Sequence, residues 1–129
     1  MIIIGLAGGK PCDRNEIADR IAQFGKSRVA KWAGSESAKE FPRVRDLSVA
    51  LRDTFRRQRE GALIIVNVMT QGEADEIRKN GGVIWHVMGK PSESVRMERD
   101  DPKVTHMQGG CRHFLDALEA WSDELMKAR

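Results

Sequence analysis

The sequence predicts a three-layer α/β/α fold built on a parallel sheet of about five strands. Two short segments, IIIGLA and ALIIVNVM, are almost entirely apolar, as strands buried on both faces of a parallel sheet are. Each is followed by a stretch with the apolar spacing of a helix, so strands and helices alternate along the chain. We therefore expect these two strands to be adjacent and central, in a single domain that spans residues 1–129.

The first half of the chain contains two predicted strands and two predicted helices. The strand IIIGLA is followed by a helix over residues 14–24, on which Ile17, Ile21 and Phe24 share an apolar face. SRVAKWA is predicted as the second strand and SESAKEFP as a loop. Residues 44–59 carry an apolar stripe at helical spacing, which includes Phe55 and ends in the basic segment RRQR.

The second half repeats the alternation. ALIIVNVM is the clearest strand, and GEADEIRKNGG is a short helix that ends at an Asn-Gly-Gly signal. Two further strands are predicted, VIWHVM and VTHM, and the polar loop GKPSESVRMERDDPK separates them. The last element is an amphipathic helix that begins near Cys111 and has Phe114 and Leu125 on its apolar face. The residues predicted to be largely buried are Ile3, Leu6, Ile17, Ile21, Ile64, Val66, Ile77, Ile84, Leu118 and Trp121.

Composition and charge narrow the classes of function. The net charge of +3 is small and the basic residues are dispersed, which makes nucleic acid an unlikely partner. No apolar run is long enough to span a membrane, and no basic segment precedes MIII, so we expect neither a membrane partner nor a signal peptide. The two cysteines, Cys12 and Cys111, do not form a disulfide framework, which is typical of a cytoplasmic protein.

The turn GGKPCDRNE raises the main functional question. A buried strand, a glycine-rich turn and a helix follow one another here, which is the layout of a phosphate-binding loop. Ligands of parallel α/β sheets bind at the carboxyl ends of the strands, where this turn is expected to lie. The residues that could contact a nucleotide, if such a site is retained, are Gly8, Gly9, Lys10, Arg14 and Glu16.

Four segments together resemble the phage-type deoxynucleoside monophosphate kinases, a P-loop kinase family. IIIGLAGGKPCDRNEIAD corresponds to the P-loop and first helix, and LIIVNVMTQGEADEIRKNGGVIWHV to the Walker B strand and the helix after it. KPSES is similar to a His-Pro-Ser-Glu element, and VTHMQGGCRHFLDAL to the last strand and terminal helix. The resemblance covers most of the chain in family order and implies a P-loop kinase-like domain.

The motifs depart from the family pattern where phosphate and magnesium would bind. Aligned on Gly8, the chain has Asp13 at the second glycine of the Walker A loop, Arg14 at its lysine, and Glu16 where a hydroxyl residue helps to hold magnesium. Asn67 replaces the Walker B aspartate and would be a weak metal ligand. The region that carries monophosphate-binding residues in the family is also shortened, since only about 37 residues separate Phe24 from Ala62.

The same turn also fits a purely structural interpretation. Pro11 lacks an N–H group to offer a phosphate, and Asp13 and Glu16 have the spacing of a capping box. Asp13 is therefore predicted to be the N-cap, with its side chain on the N–H of Asn15 or Glu16. The two carboxylates would then fill the anion site and repel a triphosphate. This capped helix is favoured over a phosphate site.

Other candidate groups are weaker. His106, Cys111 and His113 form a loose cluster without a fourth zinc ligand, and ordinary surface or core roles are favoured for them. Cys12 could be an activated thiolate, but a plain buried thiol is favoured. The segment from Arg56 to Arg59 could bind phosphate or nucleic acid, although a solvated helix end is favoured. MERDD is predicted to be a solvent loop, and the three tryptophans are assigned to the core.

Three hypotheses about function follow. The first is a degenerate, phage-related kinase-like domain with a degenerate Walker A motif, no catalytic residues and no cofactor, which acts as a binding module for a protein, for itself as a homodimer, or for a small anionic ligand. The second is a diverged active kinase that transfers the γ-phosphate of ATP to a nucleoside monophosphate with magnesium, using Lys10, Arg14 and Glu16 in altered roles. The third, a nucleic-acid-associated domain, depends on the basic helix end alone.

Overall fold

The computed structural model describes residues 1–57 and 61–128. Six strands form one all-parallel sheet in the order β2-β3-β1-β4-β5-β6. The strands are β1 (Ile2–Ala7), β2 (Val29–Trp32), β3 (Ala62–Ile65), β4 (Val83–Val87), β5 (Lys103–Thr105) and β6 (Leu115–Asp116). The helices are α1 (Pro11–Gly25), α2 (Glu40–Arg57), α3 (Gln71–Lys79) and α4 (Ala117–Lys127), with a 3₁₀ turn at Lys26–Arg28. In the described part of the chain, no helix combines the length and apolarity needed to cross a membrane.

The helices cover both faces of the sheet, which confirms the predicted three-layer α/β/α class. The helices α1 and α4 pack on one face, and α2 and α3 pack on the other. Successive residues of a strand point to opposite faces, so Ile4 and Ile64 join the α1/α4 core while Ile3 and Leu63 join the α2/α3 core. Because both faces of these strands are buried, their sequences are continuous apolar runs.

The prediction that IIIGLA and ALIIVNVM are adjacent and central is confirmed. They form β1 and β3, which pair in parallel with Ile4 opposite Ile64. On its other side β1 pairs with β4, where Leu6 lies opposite the fully buried Trp85. The interior of β1 includes Gly5 because a β-carbon there would lie 2.7 Å from Cδ1 of Ile77, so α3 can pack closely on the strand.

Nine of the ten predicted core residues are buried, and the exception is Leu118, which is half-buried. Three further apolar residues of the predicted helix faces are exposed instead, namely Phe24, Phe55 and Leu125. Phe24 and Leu125 lie at the carboxyl-terminal ends of their helices and border an open cavity at the amino edge of the sheet, where the strands offer no further surface to pack on. The helical periodicity predicts the correct face of each helix, but it does not predict where along the helix the contact with the sheet ends.

Several element boundaries differ from the prediction: α2 begins at Glu40, inside the predicted loop SESAKEFP, and β3 ends at Ile65. Two further differences concern the closing helix and the first helix. The closing helix begins at Ala117 rather than near Cys111, because Leu115 and Asp116 form a sixth, two-residue strand and the Asp116 side chain caps the helix by accepting a hydrogen bond from the Leu118 N–H. The first helix begins at Pro11 rather than at residue 14. The second difference changes the interpretation of the glycine turn.

Candidate functional site

The glycine turn connects the carboxyl end of β1 to α1, as the sequence predicts. Gly8 and Gly9 have φ angles of +74° and +67°, a backbone region that residues with a β-carbon adopt only with strain. A β-carbon on Gly9 would also lie 2.8 Å from Cγ1 of Val87 and 2.9 Å from the carbonyl oxygen of Met88. The close packing of this turn against the chain after β4 therefore already requires glycine, whether or not a phosphate binds.

The space beneath the turn is occupied by the side chain of Arg14, which is 5% exposed. Its Nη1 donates hydrogen bonds to the carbonyl oxygens of Gly8 at 2.8 Å and Gly9 at 3.0 Å. Its Nε and Nη2 donate to Oδ1 of Asn67, at 3.1 and 2.9 Å. All of these acceptors are neutral, and burial lowers the pKa of Arg14 below its ordinary value.

This arrangement reverses the polarity of a phosphate cradle. A P-loop presents backbone N–H groups to an anion, whereas here two carbonyl groups of the turn face a cation. The N–H of Gly9 is also engaged, since it donates to the carbonyl of Lys90 at 2.9 Å. Of the residues predicted for a retained nucleotide site, the structure brings Gly8, Gly9 and Arg14 together, while the side chains of Lys10 and Glu16 are exposed.

Asn67 lies just beyond β3, beside the glycine turn, where the resemblance places the Walker B position. Its Oδ1 accepts two hydrogen bonds from Arg14, and its Nδ2 donates to the carbonyl of Ala33 at 2.6 Å. The Asn67 side chain thus connects the segments that follow β1, β2 and β3, at the carboxyl ends of these strands. The oxygen that was assigned to a weak metal site faces a guanidinium group instead, which is a poor environment for a second cation.

The predicted capping box at Asp13 and Glu16 is wrong. Lys10 is the N-cap, its carbonyl accepts from the N–H of both Asp13 and Arg14, and its own side chain makes no capping hydrogen bond. The physical reason is Pro11, whose fixed φ angle and missing N–H favour the first helical position, so the helix begins two residues before the predicted cap. Asp13 is therefore the third helical residue, and its carboxylate is available for another role.

Asp13 and Glu16 lie next to His106, which follows β5. One ligand-type atom from each of these three side chains lies within 4.8 Å of the other two. The separation between Nδ1 of His106 and Oδ1 of Asp13 is 3.6 Å. Of the loose cluster considered from the sequence, only His106 takes part: Cys111 pairs through its backbone with Phe114, and His113 is exposed.

Cys12, on the first turn of α1, is exposed, so the favoured interpretation of it as a plain buried thiol is wrong. Its Sγ is 3.7 Å from Oδ1 of Asp13. The basic segment after residue 55 is described only to Arg57: Arg56 and Arg57 are exposed in the last turn of α2, and Gln58 and Arg59 lie outside the described residues.

A second buried arginine, Arg43 on α2, was missed by the sequence analysis. Its guanidinium pairs with the fully buried carboxylate of Glu73, with Nε 2.6 Å from Oε1. It also donates to three carbonyl groups of neighbouring segments, those of Ser35, Ser37 and Asn67. The signal that could have identified Glu73 is the capping box T-x-x-E at Thr70, whose hydroxyl accepts from the Glu73 N–H.

The loop after β4 is also held by buried charges. Asp101 accepts hydrogen bonds from Nη2 of Arg78 at 2.6 Å and from the backbone N–H of Glu98 at 2.9 Å, and its Oδ2 is 2.8 Å from Nε2 of the buried His86. The prediction that MERDD is a solvent loop is thus wrong for Asp101. The network joins the end of β4 to the far end of the loop, whose first residues, Met88 to Ser92, pack on Gly8 and Gly9.

Comparisons of this chain with protein-family models, with curated proteins and with solved structures give no match. The kinase resemblance therefore depends on the four sequence segments alone.

Proposed function

We propose that this chain is a degenerate P-loop nucleoside monophosphate kinase-like domain that lacks phosphoryl transfer and acts as a binding module. The observation that supports this most directly is the position of the Arg14 side chain. It fills the space that a P-loop would offer to the β- and γ-phosphates, and it holds the carbonyls of Gly8 and Gly9 toward itself. A triphosphate would have to displace four hydrogen bonds before making its own.

The surroundings of the turn support the same conclusion. Pro11 offers no N–H, the Gly9 N–H is engaged by Lys90, and the carboxylate of Asp13 lies on the first turn of the helix. Magnesium lacks its usual partners as well, because Asn67 is neutral and hydrogen-bonded to Arg14. Losing several charge-assisted contacts at about 1.5–3 kcal/mol each is enough to abolish useful affinity for ATP.

The first test is a calorimetric titration of the unmodified protein with ATP, GTP and deoxynucleoside monophosphates, with and without magnesium. We expect no saturable binding of the triphosphates at physiological concentration, and no transfer of phosphate to a nucleoside monophosphate. Micromolar affinity for ATP, or phosphate transfer, would instead establish the alternative of a diverged active kinase. Binding of a monophosphate alone would support a module for small anionic ligands.

The second test restores the missing groups. The variant Pro11→Gly, Asp13→Gly, Arg14→Lys, Glu16→Thr, Asn67→Asp should gain magnesium-dependent ATP binding if the scaffold is a P-loop one. Its matched control carries the same changes except at Arg14. This control should not bind ATP, because the guanidinium group still fills the turn. Circular dichroism confirms that both variants fold. If the folded five-residue variant binds no ATP, the P-loop part of the proposal is wrong.

The partner of such a module is proposed to be a protein, including a second copy of this chain. Phe24, at 62% exposure, and Leu125, at 39%, border the same open cavity at the amino ends of the strands, so apolar surface is exposed there. Such surface tends to be covered by a partner. Light scattering at high protein concentration should therefore give the mass of a homodimer, and a monomer mass under those conditions would count against self-association.

A further inference from the structure

Three side chains that could bind a metal ion meet at the carboxyl edge of the sheet, outside the glycine turn. Asp13 and Glu16 are three residues apart on α1, a spacing that places side chains on the same side of a helix. His106 reaches them from the turn after β5. Their oxygen and nitrogen atoms lie within 4.8 Å of one another, so small side-chain rotations would bring all three onto one ion.

The imidazole of His106 has a nitrogen without a protein partner. Its Nδ1 is buried, and no hydrogen bond to it is found among residues 1–57 and 61–128. Asp13 Oδ1, at 3.6 Å, is too distant for a good hydrogen bond. Two ligands of a tetrahedral zinc ion, each about 2.1 Å from the metal, are about 3.4 Å apart. The observed separation thus fits two ligands of one metal better than a hydrogen-bonded pair.

The backbone that carries His106 is fixed in place. Arg20, one turn beyond Glu16 on α1, donates from Nη2 to the carbonyl of His106 at 2.9 Å. Its Nη1 pairs with Asp116 at 3.1 Å, so its positive charge is balanced outside the cluster. The N–H of Met107 donates to Oγ1 of Thr105 at 3.2 Å, which defines the turn that follows β5. The backbone of the histidine is therefore held in place before any ion binds.

We propose that Asp13, Glu16 and His106 form a binding site for a divalent transition-metal ion of the zinc class. One imidazole and two carboxylates suit zinc, whereas a site for magnesium or calcium would use oxygen ligands alone. Three protein ligands leave the fourth tetrahedral position open, and the exposure of Glu16 allows water or a small ligand to reach it. This site does not depend on a nucleotide in the glycine turn.

The site is tested with zinc alone, by competition against a chromogenic chelator on the full chain. We expect one zinc ion per chain and a rise in melting temperature on binding. The substitutions Asp13→Asn, Glu16→Gln and His106→Gln should each weaken binding by about tenfold or more. The matched controls are Asp19→Asn, on the next turn of α1, and His113→Gln, an exposed histidine; both should bind zinc as the unmodified protein does.

Cobalt distinguishes the proposed ligands from the two cysteines. The cobalt complex should show visible absorption without a sulfur-to-metal charge-transfer band, and Cys12→Ser and Cys111→Ser should leave it unchanged. A charge-transfer band, loss of binding in either serine variant, or loss of binding in His113→Gln would overturn the assignment of ligands. Absence of stoichiometric zinc binding in the folded, unmodified protein would overturn the site itself. Circular dichroism of each variant separates loss of a ligand from loss of the fold.

Discussion

Two buried arginines flank Asn67 at the carboxyl edge of the sheet, and they differ in what balances their charge. Arg43 pairs with the carboxylate of Glu73, which is fully buried. Arg14 is equally buried, at 5% exposure against 6%, yet its hydrogen bonds within the described residues go to carbonyl and amide oxygens. The first arginine forms an internal ion pair, whereas the second is a buried cation to which no carboxylate of residues 1–57 and 61–128 is hydrogen-bonded.

The difference separates a structural role, that of Arg43, from the role proposed for Arg14 in the loss of a phosphate site. An ion pair with three additional carbonyl acceptors joins α2, α3 and the segment after β2, which is a sufficient reason to keep Arg43. A buried cation without a counterion costs desolvation energy that neutral acceptors only partly offset, as the lowered pKa of Arg14 reflects. Under the proposed function, the buried Arg14 side chain occupies the position where a P-loop kinase would hold phosphate.

The comparison predicts that the largest loss of stability follows removal of the paired arginine. Arg43→Met leaves the carboxylate of Glu73 buried without its partner, so we expect the free energy of unfolding to fall by about 3–5 kcal/mol. Urea denaturation followed by circular dichroism measures it. The matched control is Arg45→Met on the same helix, whose side chain is 65% exposed and whose contact with Asp46 is long, at 3.8 Å. If Arg43→Met lowers the free energy of unfolding by less than about 1 kcal/mol, the assignment of a stabilising ion pair is contradicted.

The same substitution at the other arginine should cost less. Arg14→Met leaves the carbonyls of Gly8 and Gly9 without a donor, but it leaves no buried charge without a partner. The free energy of unfolding should therefore fall by about 1–3 kcal/mol. Denaturation under identical conditions gives the comparison directly. If Arg14→Met costs as much as Arg43→Met, then an acidic group or bound anion that balances Arg14 has been overlooked.

The fold could be predicted from the sequence because burial on both faces leaves a simple signal. The continuous apolar runs of β1 and β3 identify central parallel strands, and the spacing of Ile17 and Ile21 identifies the helix face. The two-residue strand β6 has no such pattern, because a strand that short is defined by its pairing with β5. The exposed Phe24 and Leu125 show the same limit, since periodicity does not reveal where a packed surface ends.

The candidate site could be predicted only in part. The glycine turn and Asn67 were identified by their positions after β1 and β3, but the conformation of the turn depends on Arg14, whose side chain could equally have faced solvent. The pairs Arg43–Glu73 and His86–Asp101 join residues 30 and 15 positions apart, and no local pattern marks such contacts. The cluster of Asp13, Glu16 and His106 was missed because the two carboxylates were assigned to a cap that Pro11 displaces.

A third arginine, Arg20, pairs with an acidic residue whose replacement should have the smallest of these effects on stability. Its partner Asp116 is partly exposed, and hydrogen bonds from the backbone N–H groups of Gly109 and Leu118, together with Arg20, hold the pKa of this carboxyl below its ordinary value. Asp116→Ala removes the cap of α4 and should cost about 0.5–2 kcal/mol near neutral pH. Asp116→Asn keeps one oxygen that can cap the helix, and it replaces the charge and the second acceptor oxygen with an amide NH2 group, so it should cost less than Asp116→Ala.

The pH dependence separates the charge from the cap. Because the pKa of Asp116 is lower in the folded chain than the value of about 3.9 in the unfolded chain, its carboxylate stabilises the fold above that pH and loses this contribution as pH falls through the folded pKa. The difference in unfolding free energy between the unmodified protein and Asp116→Asn should therefore be constant from pH 7 to about 5 and close in more acidic solution. The opposite outcome is a difference in unfolding free energy that stays the same down to the lowest pH at which both proteins fold. It would show that the stabilisation comes from the hydrogen-bonding geometry of the Asp116 side chain and not from its charge.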